Sequence, residues 1–279
     1  MNALEFSTRG RHWRADLRRP IDLAIPLDFA GAQPRFFASV PASAEPLRAG
    51  SFTGSVGSGA SCNCATLTLA PHCHGTHTEC VGHVTDPVAS LAALTPVPPC
   101  LALLVSLQPR ELGPRAAGPH AAAQDRVIDR AALEQAAGAW LADPWTALVV
   151  RTLPNEISKR SRAYGDGGGP APYFEPDAIG WLLEREVTSL VVDLPSLDRA
   201  DDGGRLAAHR AYWGLPPGST DAGAASRPHA LVTELAFVPD EAQDGLYLLD
   251  LQVPAFVADA APSRPVLYRV VETTRPGPA

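Results

Sequence analysis

Cys73-His74-Gly75-Thr76-His77-Thr78-Glu79-Cys80-Val81-Gly82-His83, with His72 just before it, concentrates metal-competent side chains in one short stretch. Four of the eight histidines, His72, His74, His77 and His83, fall within these twelve positions beside Cys73, Glu79 and Cys80. A lone histidine commonly does no more than satisfy a core carbonyl, a poor explanation for four so close together. Gly75, Gly82, Thr76, Thr78 and Val81 make a weak helix, so the stretch reads as extended backbone. Alternation then puts Cys73, His77, Glu79 and His83 on one face, and turns His72 and His74 to the other. One thiolate, two imidazoles and a carboxylate suit zinc or a similar first-row divalent ion better than calcium or magnesium. A closed zinc staple is the bland alternative, and the lack of paired Cys-x-x-Cys motifs and the mixed donor set count against it.

Outward from this stretch, apolar strand-like runs alternate with helical patterns, which predicts an α/β or mixed domain. Strands are expected over Ile21–Leu27, Ala65–Leu69, Leu101–Leu107, Ala147–Thr152, Ser189–Asp193 and Ala230–Val238, all as core-forming segments. Helices are expected over Arg130–Leu141, opened by Asp129 as a cap, over Pro176–Arg185, with proline at the first helical position, and over Leu206–Trp213. Loops are marked at Pro109–Gln124, Tyr164–Tyr173 and Leu215–Pro228, none of them an inter-domain linker. The division expected is an N-terminal arm, 1–20, and one domain, 21–279.

Composition narrows the function. The 279 residues carry a net charge of −7, which argues against a nucleic-acid partner. Arg9, Arg11, Arg14, Arg18 and Arg19 form the one basic run, read as a solvated arm. Lys159 is the only lysine and follows no glycine-rich loop, so Walker-type phosphate binding and Schiff-base chemistry are set aside. No apolar run reaches the length of a signal peptide core or a membrane span, which predicts a cytoplasmic protein without a membrane partner. Five cysteines, four of them clustered, read as buried thiols or metal ligands rather than a disulfide framework.

Gly75-Thr76-His77-x-Glu79-x-x-x-His83 resembles the signature of the cyclase-like metal hydrolases, the family of bacterial kynurenine formamidases and isatin hydrolases. Their pattern reads His-x-Gly-Thr-His-x-Asp-x-Pro-x-His. Ile21-Asp22-Leu23-Ala24-Ile25-Pro26 is similar to the family's opening strand, and Val192-Asp193-Leu194-Pro195-Ser196-Leu197-Asp198 to its Asp-x-Pro-Ser-x-Asp stretch. The chain departs from the pattern at Cys73, Glu79 and Val81, where the family has histidine, aspartate and proline, and the loop Leu215–Pro228 lengthens the distance from His209 to Glu234. The resemblance implies a mixed β/β/α domain with a barrel-like central sheet and peripheral helices, assembled as a homodimer or larger homo-oligomer. It also implies that His209 and Glu234 are distal metal ligands.

The expected function is hydrolysis of a carbon–nitrogen amide bond in a small molecule, an N-formyl aniline or a lactam-like ring, by a metal-activated water. The expected ligands are Cys73, His77, Glu79, His209 and Glu234, around one or two divalent ions, zinc first and manganese as the alternative. His83 is the expected catalytic proton shuttle, histidine being the side-chain type whose ordinary pKa lies near working pH, with service as a further ligand left open. Asp193, Ser196 and Asp198 serve either the site or the turn that follows their strand. Phe29, Phe36, Phe37, Tyr212 and Trp213 are candidates for an aromatic wall. The rival readings are a lactone hydrolase or lyase on the same fold, a catalytically degraded metal-binding protein, and a thiol enzyme built on Cys73 or Cys80.

Overall fold

The structure is a computed structural model that describes residues 2–37, 40–114, 120–165 and 170–274. Parts of two expected loops, 115–119 and 166–169, and the end of the expected domain, 275–279, lie outside the described residues.

A large mixed sheet organises the chain. Its strands are β1 (Ala3–Thr8), β2 (Arg11–Asp16), β3 (Ile21–Asp22), β4 (His77–Glu79), β5 (Cys100–Leu107), β6 (Ala147–Thr152), β7 (Ser189–Val192), β8 (Leu231–Glu234), β9 (Gly245–Gln252), β10 (Ala260–Pro262) and β11 (Arg264–Thr273). The spatial order is β1-β2-β11-β9-β5-β6-β7-β8-β4-β10, with β3 paired to β11. The central four, β5 to β8, run parallel, and antiparallel strands flank them on both sides.

Helices α1 (Arg130–Ala137), α2 (Pro176–Glu184) and α3 (Ala207–Trp213) lie on the three crossovers between the parallel strands. The Asp129 side chain accepts from Ala132 N and caps α1 as expected. Alternation along β5 separates two cores. Leu101, Leu103, Val105 and Leu107 face the helices with Leu133, Ile179, Leu182 and Trp213, whereas Ala102 and Leu104 face Val149, Val191, Tyr247 and Leu267.

Several expectations are corrected. Of Ile21–Leu27 only the first two residues pair, while the rest is held singly, for example by Ile25 N donating to Thr76 Oγ1. Ala65–Leu69 is not core. Residues 65–68 pair antiparallel with Ser43–Pro46 away from the main sheet and are exposed. Ala230–Val238 keeps strand geometry only to Glu234, because Leu235 adopts φ 50° and turns the chain. The arginine-rich segment keeps Arg9, Arg14, Arg18 and Arg19 exposed, but its strand β2 pairs with β11 and buries Trp13 and Ala15, so it is joined to the main sheet. Among the described residues no helix is long and apolar enough to cross a membrane.

Candidate metal centre

The site forms where the parallel strands meet the antiparallel edge. In the register between β4 and β8, Glu234 stands opposite His77 and Val232 opposite Glu79. His77 and Glu79 are two residues apart and share a face, and a directly opposed residue faces the same way, so this pairing alone delivers three donors. Gly75, at φ +79°, turns the chain just before β4 and brings its own carbonyl within 3.1 Å of His77 Nδ1.

The fourth donor, His209, comes from α3. The Asp198 carboxylate anchors that helix by accepting from Ala208 N at 2.7 Å and His209 N at 3.1 Å, and it also lies 2.7 Å from His209 Nδ1. On its other side the His209 ring packs against that of buried Trp213, with centroids 5.4 Å apart.

The donors converge out of solvent. His77 and Glu79 are 0% exposed, His209 1% and Glu234 3%. His209 Nε2 lies 2.9 Å from Glu79 Oε1 and 3.2 Å from Glu234 Oε1, and His77 Nε2 lies 3.5 Å from Glu234 Oε2. Glu234 Oε1 also accepts from Leu197 N. Although these atoms are close, His77 Nε2, His209 Nε2 and both Glu79 oxygens have no well-formed hydrogen bond among the described residues. Buried polar atoms left so are costly, and a set of lone pairs aimed at one another calls for a cation between them.

The same demand shows in the protonation of these groups. Burial pushes the Glu79 carboxyl up, but the His83 and His209 imidazoles outweigh it and hold the group well below the usual carboxylate range. Burial opposes charge on His209, yet Glu79, Asp198 and Glu234 raise it well above the ordinary histidine value. Three donor groupings among the described residues could hold an ion here: Glu79 with His209 and Glu234, His72 with His77 and Glu79, and, on the more open side, His72 with His83 and Asp259.

The structure thus brings together four of the expected ligands, His77, Glu79, His209 and Glu234. Cys73 belongs to none of the donor groupings among the described residues, and burial raises its thiol. Period two holds only within β4, because short 3-10 turns at Pro71–Cys73 and Val81–Val84 flank it. His72 is therefore not turned away, and its Nδ1 lies 2.8 Å from Glu79 Oε2. His74 does point elsewhere, with Nε2 3.0 Å from Val40 O.

His83 stacks on His72 with centroids 4.1 Å apart, and its Nδ1 lies 3.6 Å from Asp259 Oδ2 and 3.9 Å from Glu79 Oε2. Its side chain is 24% exposed, so it borders the centre on the open side. His72 and Asp259 are the residues that the sequence reading missed. The alternation argument reversed His72, and Asp259 sits in an Ala-rich run with no motif.

Asp193 does not reach the centre; its carboxylate is buried against Lys159 Nζ at 2.8 Å. Ser196 accepts from Asp198 N and shapes the loop that carries Asp198. Tyr212 and Trp213 are core residues, whereas Phe36 packs with Tyr164 and Leu235 and lines a cleft with Tyr173 and Arg199. A thiol mechanism finds no support, since burial pushes the Cys80 thiol up to about 11 and its Sγ faces Ala89 O.

The family model described as "Putative cyclase" matches residues 21–199, well over half of the chain. No curated protein matches the sequence closely enough to be called a relative. Among solved structures, one titled a novel cyclase shares 14% identity and superposes with a TM-score of 0.58, covering 90% of this chain and 87% of its own. Isatin hydrolase A from Ralstonia solanacearum shares 14% identity with a TM-score of 0.54, covering 91% of this chain and 92% of its own. A structure described as a predicted metal-dependent hydrolase from Bacillus stearothermophilus shares 14% with a TM-score of 0.53, covering 90% and 98%. At such identities the likeness is one of fold.

Proposed function

The chain belongs to the putative cyclase family, and on that premise we propose that it is a metal-dependent hydrolase of carbon–nitrogen amide bonds acting on aryl formamides or cyclic aryl amides. The observation that carries this reading is Glu79, a fully buried carboxylate with both oxygens unpartnered and with imidazole nitrogens at 2.8 and 2.9 Å.

His77, Glu79, His209 and Glu234 would hold the ion. Bound there, a first-row divalent ion supplies Lewis acidity toward a carbonyl oxygen and lowers the pKa of coordinated water. Asp198 and the Gly75 carbonyl fix the ring orientations of His209 and His77, so that each presents Nε2 to the centre. Leu197 N holds Glu234 from behind. His83, an imidazole more open than His77 and His209, takes a proton from water on the substrate side and returns it to the leaving nitrogen, with Asp259 and Glu79 facing its Nδ1. A cleft lined by Phe36, Tyr164 and Tyr173 would suit an aromatic substrate, as would the fold shared with isatin hydrolase A. A homodimer acting in the cytoplasm belongs to the same proposal.

The test is hydrolysis of N-formylkynurenine, isatin and an aryl lactone by zinc-loaded and manganese-loaded protein. Turnover of one of the two amides, abolished by a chelator and lost in His83→Ala with metal retained, supports the reading. Turnover of the lactone alone, or amide turnover that survives metal removal, contradicts it.

A further inference from the structure

We infer that His72, not Cys73, supplies the metal ligand at the entry to β4, and that Asp259 is the residue that positions it. The inference rests on the metal-centred reading above and deepens it for a position where this chain departs from its family's motif.

The ring nitrogens of the three histidines are engaged in a regular way. Nδ1 of His209 is taken by Asp198 at 2.7 Å, and Nδ1 of His77 by the Gly75 carbonyl at 3.1 Å. Each ring therefore keeps Nε2 for the centre. His72 repeats the arrangement with its nitrogens exchanged, since Nε2 lies 2.8 Å from Asp259 Oδ2 while Nδ1 lies 2.8 Å from Glu79 Oε2. A carboxylate on one ring nitrogen and a cluster of donors on the other is the usual setting of a metal-bound histidine. His72, His77 and Glu79 each offer a ligand atom close enough to the others to share one ion.

The local backbone explains the shift by one residue. A strand running back from His77 would present Cys73 on the donor face, but the chain turns at Pro71–Cys73 and again at Gly75. The 3-10 turn swings the His72 ring over Glu79 and leaves Cys73 outside the grouping. Asp259 reaches His72 because Gly82 has no side chain, for a Cβ there would lie 3.0 Å from Asp259 Cβ, and because Cys80 N donates to Asp259 O at 3.0 Å. The completed donor set is His72, His77, Glu79, His209 and Glu234, three imidazoles and two carboxylates without sulfur. Such a set takes zinc, manganese or cobalt and has no preference for thiophilic ions.

The experiment adds Co(II) to metal-free full-length protein and records the absorption spectrum and affinity of the wild type, Cys73→Ser, His72→Ala and Asp259→Asn. The expected result is a cobalt complex without a thiolate-to-cobalt charge-transfer band, unchanged in spectrum and affinity in Cys73→Ser. In Asp259→Asn, which preserves side-chain shape, affinity falls about 10- to 100-fold, the usual effect of removing a ligand's orienting carboxylate, and in His72→Ala it falls further. A charge-transfer band in the wild type that disappears in Cys73→Ser overturns the inference while leaving a metal site standing, and that comparison needs no histidine variant to fold. Unchanged cobalt affinity in a folded His72→Ala protein also overturns it. A wild type that takes up no cobalt overturns the metal reading itself and this inference with it.

Discussion

Asp198 and His209 are joined by a 2.7 Å contact between Oδ2 and Nδ1, which leaves His209 Nε2 directed at Glu79 and Glu234. The same carboxylate accepts from the backbone of Ala208 and His209, so one side chain fixes both the start of α3 and the ring it carries. Asp198→Asn is expected to lower metal affinity about 10- to 100-fold with the fold retained. Competition with a chromophoric chelator measures this, and an unchanged affinity would show that the contact is only a helix anchor.

Asp193 makes a separable, structural contribution. Its buried carboxylate accepts from Lys159 Nζ, Thr152 N and Thr152 Oγ1. Burial pushes the carboxyl up, against the opposing pull of the Lys159 ammonium. Removing one partner of such a pair strands the other in a dry site, at a cost of about 3–5 kcal/mol. Asp193→Ala is expected to lose stability of that order in urea unfolding while keeping its metal content. A variant with normal stability, or one that loses metal, contradicts this assignment.

The pH dependence of the metal-free protein follows from His72. Burial opposes its charge, but Asp259 and Glu79 outweigh burial and raise the imidazole from 6.5 to about 10. The folded chain thus binds this proton more tightly than the unfolded one. The resulting stabilisation is complete below the unfolded value of 6.5 and is lost as pH rises through about 10. Thermal melts of metal-free wild type are expected to decline on the alkaline side of that window more steeply than those of His72→Gln. Because an ion at this ring displaces the proton, metal affinity is expected to climb with pH over the same range. Parallel declines in the two proteins, or an affinity flat with pH, count against the arrangement.

Gly82 tests the close approach that seats Asp259. A Cβ there would fall 2.0 Å from Ala89 O and 3.0 Å from Asp259 Cβ, so Gly82→Ala forces the backbone apart between His83 and Asp259. The expected outcome is a loss of about 1–3 kcal/mol of stability, as for other overpacked sites, together with lowered activity. Thermal unfolding beside an activity assay checks it, and a neutral substitution would contradict the packing described.

How much of this was legible depended on how local each signal was. Ala147–Thr152 forms as expected because six consecutive buried residues leave no alternative, and Asp129 and Pro176 mark helix starts through chemistry that acts within one turn. His77, Glu79, His209 and Glu234 could be named from a motif. That His77 and Glu234 face each other, however, depends on the β4–β8 register, which links residues 157 apart in sequence order (234 − 77 = 157). His72 was misjudged because alternation was extended past Gly75, where φ +79° ends it. The exposed strand at Ala65–Thr68 shows the same limit. Its Thr and Leu residues favour a strand, but only the tertiary fold decides whether that strand is covered.

The central claim is that the convergence of His77, Glu79, His209 and Glu234 is a metal centre, and elemental analysis of purified wild type beside Glu234→Ala tests it most directly. About one or two divalent ions per chain are expected in the wild type, the range that these donors can hold, with a marked loss in the variant. A wild type free of metal, or a variant that retains the wild-type content, would contradict it.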